Sequence, residues 1–112
     1  MATDLPKRRK SDPRTAAGEV QSVLKCKWSL AVLDQVASGV HRPGQITRAI
    51  PGLTTKVLNE RLRKLVRYQV FERIVFAEVP PRVEYRLTPY GERFRAILDE
   101  IRALESSRPA QG

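Results

Sequence analysis

The chain has 112 residues, a length that predicts one small domain. Its 21 lysines and arginines outnumber 12 acidic residues, which gives a net charge of +9 at pH 7, and apolar residues make up 41%. The longest apolar run has four or five residues, so we expect neither a membrane-spanning helix nor a secretory signal segment. One cysteine and one histidine argue against a disulfide framework and against a protein-only zinc site. Composition therefore predicts a soluble, basic domain of a reducing, cytoplasmic compartment, with no metal or other cofactor.

The positive charge is unevenly distributed along the chain. Residues 1–14 carry five basic and two acidic side chains, and residues 40–67 carry seven basic side chains against the single acid Glu60. The segments 15–39 and 68–112 are each neutral in sum. A surplus confined to two segments favours a surface that faces a polyanion over an evenly solvated one. We expect residues 1–14 to form a flexible basic arm.

Apolar spacing in the first two thirds of the chain predicts helices. A helix is predicted over 16–38, in one piece or two, and a short one over 43–50, followed by the turn Pro51-Gly52. A third helix, 55–67, follows a threonine cap at Thr54 or Thr55. It places apolar residues on one face and a basic row on the other, with Lys64 at the edge. Two short helices joined in this way are typical of a helix-turn-helix.

The last third of the chain predicts a hairpin and a terminal helix. Two β-like runs, 70–77 and 83–87, flank a turn rich in proline, and Thr88-Pro89 starts a helix that runs to about residue 105. Residues 106–112 are expected to be a disordered tail. The predicted fold class is α+β and mostly helical. It is a winged helix-turn-helix domain over 15–105, with a two-stranded β-hairpin wing and terminal helices for dimerisation.

The terminal helix carries an apolar stripe at helical spacing. This stripe could pack on its own domain, but we favour dimerisation, because helix-turn-helix proteins usually read two half-sites as symmetric dimers. The predicted homodimer interface consists of Val20, Val23, Leu24, Phe94, Ile97, Leu98, Ile101 and Leu104.

Several segments match known motifs. Lys27-Trp28-Ser29-Leu30 resembles "GKWTLLIL", Ile50–Leu58 resembles "IPGISPKML", and Pro80–Gly91 is close to "PPRVEYxLTxxG". Over residues 20–104 the chain resembles the HxlR-type winged-helix transcriptional regulators, a bacterial and archaeal family related in architecture to MarR proteins. The resemblance implies a homodimer, with N- and C-terminal helices at its interface, that binds a palindromic or direct-repeat operator.

The chain departs from that family at two informative positions. Many members carry a cysteine about a dozen residues before the Lys-Trp pair, whereas this chain has only Cys26, in the place of a family glycine. Flanking lysines and a nearby helix start would lower the pKa of the Cys26 thiol, which makes Cys26 a candidate redox sensor; alternatively it is an inert core residue. Gln69 replaces the glycine that ends the third helix, so we expect that helix to stop without the low-cost left-handed cap that glycine provides.

These features predict a sequence-specific, double-stranded-DNA-binding transcriptional regulator of the bacterial or archaeal nucleoid, whose small-molecule effector the sequence does not identify. The chain contains no phosphate loop, glycine-rich nucleotide motif or Ser/His/Asp set, which argues against an enzyme. The alternative is a non-regulatory architectural or RNA-binding winged-helix module. The candidate DNA contacts are Arg42, Gln45, Thr54, Thr55, Lys56, Asn59, Glu60, Arg63, Lys64, Arg67 and Arg82.

Overall fold

The computed structural model describes residues 14–110, so the expected basic arm lies, except for Arg14, outside the described residues. These residues form five helices and a two-stranded antiparallel sheet, whose register runs from Phe71 opposite Leu87 to Phe76 opposite Arg82. This architecture confirms the predicted winged helix. The elements are α1 (Ala16–Lys25), α2 (Lys27–Ala37), α3 (Pro43–Ala49), α4 (Thr55–Arg67), β1 (Phe71–Phe76), β2 (Arg82–Leu87) and α5 (Pro89–Ser106).

The predicted N-terminal helical segment consists of two helices that meet at Cys26. Cys26 has extended backbone angles, φ −105° and ψ 105°, which end α1 and allow α2 to leave in a new direction. Its sulfur takes the role of an N-cap oxygen, because the backbone N–H of Ser29 donates to Sγ at 3.4 Å. The single thiol of the chain therefore lies at a helix start, as the sequence predicted.

The two helices of the helix-turn-helix start for different local reasons. Pro43 occupies the first turn of α3, where its missing N–H leaves no hydrogen bond unmade. Thr54 caps α4, since its hydroxyl oxygen accepts from the N–H of Val57 at 3.2 Å. Gly52 supplies the positive φ of 85° that the intervening turn requires. Helix α4 has the predicted bounds, and α3 ends one residue earlier than predicted.

The end of α4 shows how the helix stops without a glycine. Gln69 does adopt the left-handed conformation, with φ 64°, although it is not glycine. The N–H of Gln69 donates to the carbonyl of Val66 at 2.9 Å, and the N–H of Val70 donates to that of Leu65 at 3.0 Å. These two bonds form a Schellman motif, and the buried side chains of Leu65 and Val70 are its usual apolar pair. The backbone hydrogen bonds and this apolar pair thus hold a conformation that a glutamine otherwise disfavours.

Helix α5 is anchored to the wing at its start. The Thr88 hydroxyl accepts from the N–H of Gly91 at 2.8 Å and donates to the carbonyl of Gln69 at 2.6 Å. Gly91 lies so close to the carbonyl of Val70 that a Cβ would fall well inside its van der Waals radius. The helix ends at Ser106, one residue into the predicted tail, and residues 111–112 lie outside the described part of the chain.

One continuous core lies beneath α2, α4, the hairpin and α5. Leu58, Leu62 and Leu65 are at most 1% exposed, and each contributes about 1.5–3 kcal/mol through burial. These three leucines fix the rotation of α4, so the opposite face of that helix is presented to solvent. The buried apolar residues are Val23, Val32, Leu33, Val36, Ile46, Ile50, Leu53, Leu58, Leu62, Leu65, Val70, Phe71, Tyr85, Phe94 and Leu98.

Candidate nucleic-acid interface

The exposed face of α4 carries a row of polar and basic side chains. We call this set the recognition row, and it consists of Thr55, Lys56, Asn59, Glu60, Arg63 and Arg67, all exposed. Glu60 is its only acid, and its carboxylate lies 3.9 Å from the guanidinium of Arg61, which is not a member of the row. Within residues 14–110, Lys56, Arg63 and Arg67 form no ion pair. The row therefore presents three uncompensated positive charges.

Helix α3 extends this positive surface. Arg42 and Gln45, both predicted contacts, are exposed at its first turn, and Arg48 is exposed one turn further along. Arg48 was absent from the predicted contacts. Its spacing of three residues from Gln45 is the signal that would have placed it on the same helix face.

Lys64 is the predicted contact that the structure places elsewhere. It is half-buried between α4 and α2, where its Nζ donates to Oγ of Ser29 at 3.2 Å and lies 5.8 Å from the ring centroid of Tyr68. Burial lowers the pKa of the Lys64 ammonium, the charge of the Cys26 thiolate opposes that shift, and the positive charge of Arg61 adds to it. Lys64 therefore belongs to the packing of α4 on α2 and is not part of the recognition row.

The wing contributes Arg82, whose charge is largely compensated. Its guanidinium stacks 4.0 Å from the ring centroid of Phe76 and lies 3.4 Å from the carboxylates of Glu78 and of Glu84. The hydrogen bond from Arg86, together with charge from Arg86 and Arg82, outweighs desolvation and lowers the pKa of Glu84. Glu84 thus stays ionised and holds Arg82. Two carboxylates must be displaced or screened before Arg82 can neutralise a phosphate.

Arg82 and Arg42 line one groove of about 400 Å³ between the wing and the start of α3. The other lining residues are Glu78, Pro80, Pro81 and Val83. Arg42 has no ion pair with any residue in the 14–110 range. Of the two arginines at this groove, Arg42 is therefore the one whose charge is available to a phosphate.

Cys26 is surrounded by groups that favour its thiolate. The pKa of the thiol is lowered overall: burial acts to raise it, but hydrogen bonds from the side chain and backbone of Ser29 and the charges of Arg61 and Lys64 outweigh that effect. Ser29 is fully buried and bridges Lys64 to Cys26. The thiol is thus electrostatically coupled to α4, the helix that carries the recognition row.

The outer face of α1 and α5 is apolar and incompletely covered. A groove of about 520 Å³ runs between these helices, lined by Val20, Leu24, Ile97 and Ile101 together with Ala16, Ala17 and Gln21. Ile97 is 51% exposed and Leu104 is 71% exposed. We call Val20, Leu24, Ile97, Ile101 and Leu104 the terminal-helix face.

Three residues of the predicted interface do not reach that face. Val23, Phe94 and Leu98 are at most 3% exposed and belong to the core of their own domain. The apolar stripe of α5 is therefore divided. Its inner side packs on the domain, and its outer side remains in solvent.

Neither a metal site nor a membrane helix is found in the described part of the chain. No three histidine, cysteine, aspartate or glutamate side chains there lie close enough together to hold an ion. No helix there is long and apolar enough to cross a membrane. The recognition row and the terminal-helix face are therefore the candidate binding surfaces of the described residues.

Solved structures of known regulators share this architecture. A transcriptional regulator of the MarR family from Enterococcus faecalis V583 superposes with a TM-score of 0.74 at 32% identity, and the alignment covers 91% of this chain and 93% of that one. The reduced form of the transcriptional regulator YodB from Bacillus subtilis superposes with a TM-score of 0.72 at 30% identity, covering 84% of this chain and 94% of that one.

Sequence comparison identifies the family. The chain is 41% identical over 87 residues to the HTH-type transcriptional regulator sll1512 of Synechocystis. The matched region covers 78% of this chain and 64% of sll1512, so the chain spans a little under two thirds of that relative's length. The model of the HxlR-like helix-turn-helix family matches residues 23–111. These findings confirm the resemblance seen in the motifs, and the chain belongs to the HxlR-like helix-turn-helix family.

Proposed function

We propose that the protein is a transcriptional regulator that binds double-stranded DNA sequence-specifically, as a homodimer on an operator with two half-sites. The carrying observation is the recognition row, with its three uncompensated cations, on the second helix of a helix-turn-helix. In this motif the second helix enters the major groove and the first crosses the phosphate backbone. The relatives described above are named as regulators of transcription.

Each side chain of the row suits a particular DNA group. The amide of Asn59 can pair with adenine, and Arg63 and Lys56 can donate to guanine or to phosphate. Thr54, Thr55 and the free N–H groups at the start of α4 suit a phosphate oxygen. Three further exposed cations at α3 and α4 suit backbone phosphates: Arg42, Arg48 and Arg67. A regulator of this kind acts on the genome, which places it in the cytoplasm of a bacterial or archaeal cell.

Selection of bound sequences from random duplex DNA tests this function. We expect an enriched motif with two half-sites. On that operator Arg63→Gln should weaken binding by about 1–3 kcal/mol if Arg63 reads a base. The matched control is Arg108→Gln, which removes the same charge from an exposed site beyond α5 and should leave affinity nearly unchanged. Equal affinity for operator, random duplex and structured RNA would contradict the proposal and favour an architectural or RNA-binding module.

The terminal-helix face supports the homodimer. Ile97 lines the groove between α1 and α5 and Leu104 is exposed two turns further along α5, and exposed apolar patches of this kind mark interaction surfaces. A second copy would cover the apolar surface that one protomer leaves in water.

Two matched substitutions test the dimer. Ile97 and Val75 are 51% and 54% exposed, but Ile97 lies on the terminal-helix face and Val75 on the wing. In sedimentation equilibrium, Ile97→Lys should yield monomers at concentrations where the unmodified protein is dimeric, and Val75→Lys should remain dimeric. A dimer unaffected by Ile97→Lys would place the interface elsewhere.

We also propose that Cys26 makes this regulator sensitive to oxidants. The support is its lowered pKa and its coupling through Ser29 to Lys64 on α4. Titration of the native protein with a thiol reagent tests this role. A Cys26 thiol that reacts only after unfolding would identify it as an inert packing residue.

A further inference from the structure

A small cleft adjoins the recognition row and has no assigned role. It lies between α3 and α4, holds about 100 Å³, and is lined by Pro43, Gly44, Thr47, Thr55, Leu58 and Asn59. Thr55 and Asn59 are members of the recognition row, so any duplex that α4 contacts would meet the mouth of this cleft.

The size of the cleft limits what it can bind. Ligand pockets for small molecules usually span about 300–1,000 Å³, several times this volume. A water molecule takes about 30 Å³ of liquid, and a methyl group is of similar size. The cleft therefore has room for a methyl group and is smaller than the pockets that usually hold metabolites.

The lining of the cleft is largely apolar. Leu58 is 1% exposed, and Pro43 contributes a ring without a donor. The hydroxyl of Thr47 donates to the carbonyl of Gly44 at 2.9 Å, so the part of this side chain left to contact a ligand in the cleft is its methyl group. An apolar cavity of this size gains by taking up an apolar group in place of water.

Asn59 places a polar side-chain amide beside this apolar lining. Its side chain is exposed and makes no hydrogen bond within residues 14–110. In the major groove an asparagine amide pairs with both N6 and N7 of adenine, and thymine is the base that presents a methyl group there. The apolar cleft and the amide of Asn59 therefore match the methyl group and the adenine edge that an A·T pair presents in the major groove.

We propose that the cleft takes the 5-methyl group of one thymine in each half-site, while Asn59 reads adenine in the same or the adjacent base pair. The inference rests on the proposed DNA-binding function and adds a base preference to it. Burial of one methyl group corresponds to about a fourfold change in affinity. Loss of a bidentate asparagine–adenine pair corresponds to about a 5- to 150-fold loss of affinity.

The first test changes only the DNA. Each thymine of a selected operator is replaced in turn by uracil, which lacks the methyl group, and then by 5-bromouracil, whose bromine has about the size of a methyl. We expect one thymine per half-site at which uracil weakens binding about fourfold and 5-bromouracil restores it. A half-site with no A·T pair, or one whose thymines can all be uracil without loss, would overturn the inference.

The second test assigns the sensitive thymine to the cleft. Thr47→Ser removes a methyl group from the lining and keeps the hydroxyl, whereas Thr54→Ser removes a methyl group outside the cleft and keeps the helix cap. The affinity ratio of thymine to uracil should fall for Thr47→Ser and stay unchanged for Thr54→Ser. An equal effect of both substitutions would show that the thymine is contacted elsewhere and would overturn the inference.

Failure of the inference can be told apart from failure of the proposed function. If an operator is selected and Arg63→Gln weakens binding to it, but no thymine is sensitive, only the methyl cleft is wrong. If no sequence is enriched at all, the proposed function fails as well.

Discussion

Replacing Gln69 by glycine should stabilise the folded protein. Gln69 joins the recognition helix α4 to the wing and holds a left-handed φ of 64°. That conformation costs a residue with a Cβ about 1–2 kcal/mol, and glycine adopts it freely. The exposed side chain makes no hydrogen bond within the described residues, so its removal breaks none. The backbone carbonyl that accepts from Thr88 is unchanged.

The net gain is smaller than the strain removed. Glycine adds about 0.5–1 kcal/mol of conformational freedom to the unfolded chain, which offsets part of the benefit. We therefore expect Gln69→Gly to raise the free energy of unfolding by about 0.5–1 kcal/mol. In urea this corresponds to a midpoint higher by roughly 0.5 M. Protomer concentration must be held constant, because the stability of a dimer depends on it.

A second glutamine supplies the control. Gln45 is exposed in the first turn of α3, where backbone angles are helical, and Gln45→Gly should lower the free energy of unfolding by about 0.5–1 kcal/mol. If the two substitutions change the free energy of unfolding in opposite directions, the backbone conformation at each position decides whether glycine stabilises the protein. A loss of stability in Gln69→Gly equal to that in Gln45→Gly would refute the left-handed cap.

The remaining predictions concern the thiol and the wing anchor. Because the charge of Lys64 lowers the pKa of Cys26, Lys64→Met should move the pH midpoint of iodoacetamide alkylation upward; an unchanged midpoint would contradict the coupling. The same variant should keep the salt dependence of DNA binding, whereas Arg67→Met should reduce the slope by about one, because one phosphate is no longer neutralised. Gly91→Ala should lower the free energy of unfolding by about 3 kcal/mol in urea, since its Cβ would clash with the Val70 carbonyl; a cost below about 0.5 kcal/mol would disprove that close approach.

Elements with strong local signals were predictable from the sequence. The bounds of α4 follow from its threonine cap and the apolar spacing of its leucines, and the start of α5 follows from Thr88-Pro89. The exposed row on α4 was predictable for the same reason. Once the helix period is known, the residues opposite a buried face must be in solvent.

Properties that depend on a neighbouring element were not predictable. Lys64 lies at the edge of the basic face, and only the packing of α2, with the buried hydroxyl of Ser29, decides that it turns inward. Phe94 and Leu98 share the apolar stripe of α5 with Ile97, but periodicity does not tell a domain's own core from a surface for a second copy. Gln69 shows the same limit. The missing glycine was evident, whereas the hydrogen bonds that hold a glutamine at positive φ require the folded chain.

The salt dependence of binding to a selected operator tests DNA recognition through the positive surface of α3 and α4. If the dimer neutralises roughly 6–10 phosphates, its affinity should fall by about 10³–10⁵-fold between 50 and 200 mM salt. At each salt concentration the affinity for the operator should also exceed the affinity for a scrambled duplex of equal composition. An affinity that barely changes with salt, or that is equal for the operator and the scrambled duplex, would contradict sequence-specific DNA binding by this protein.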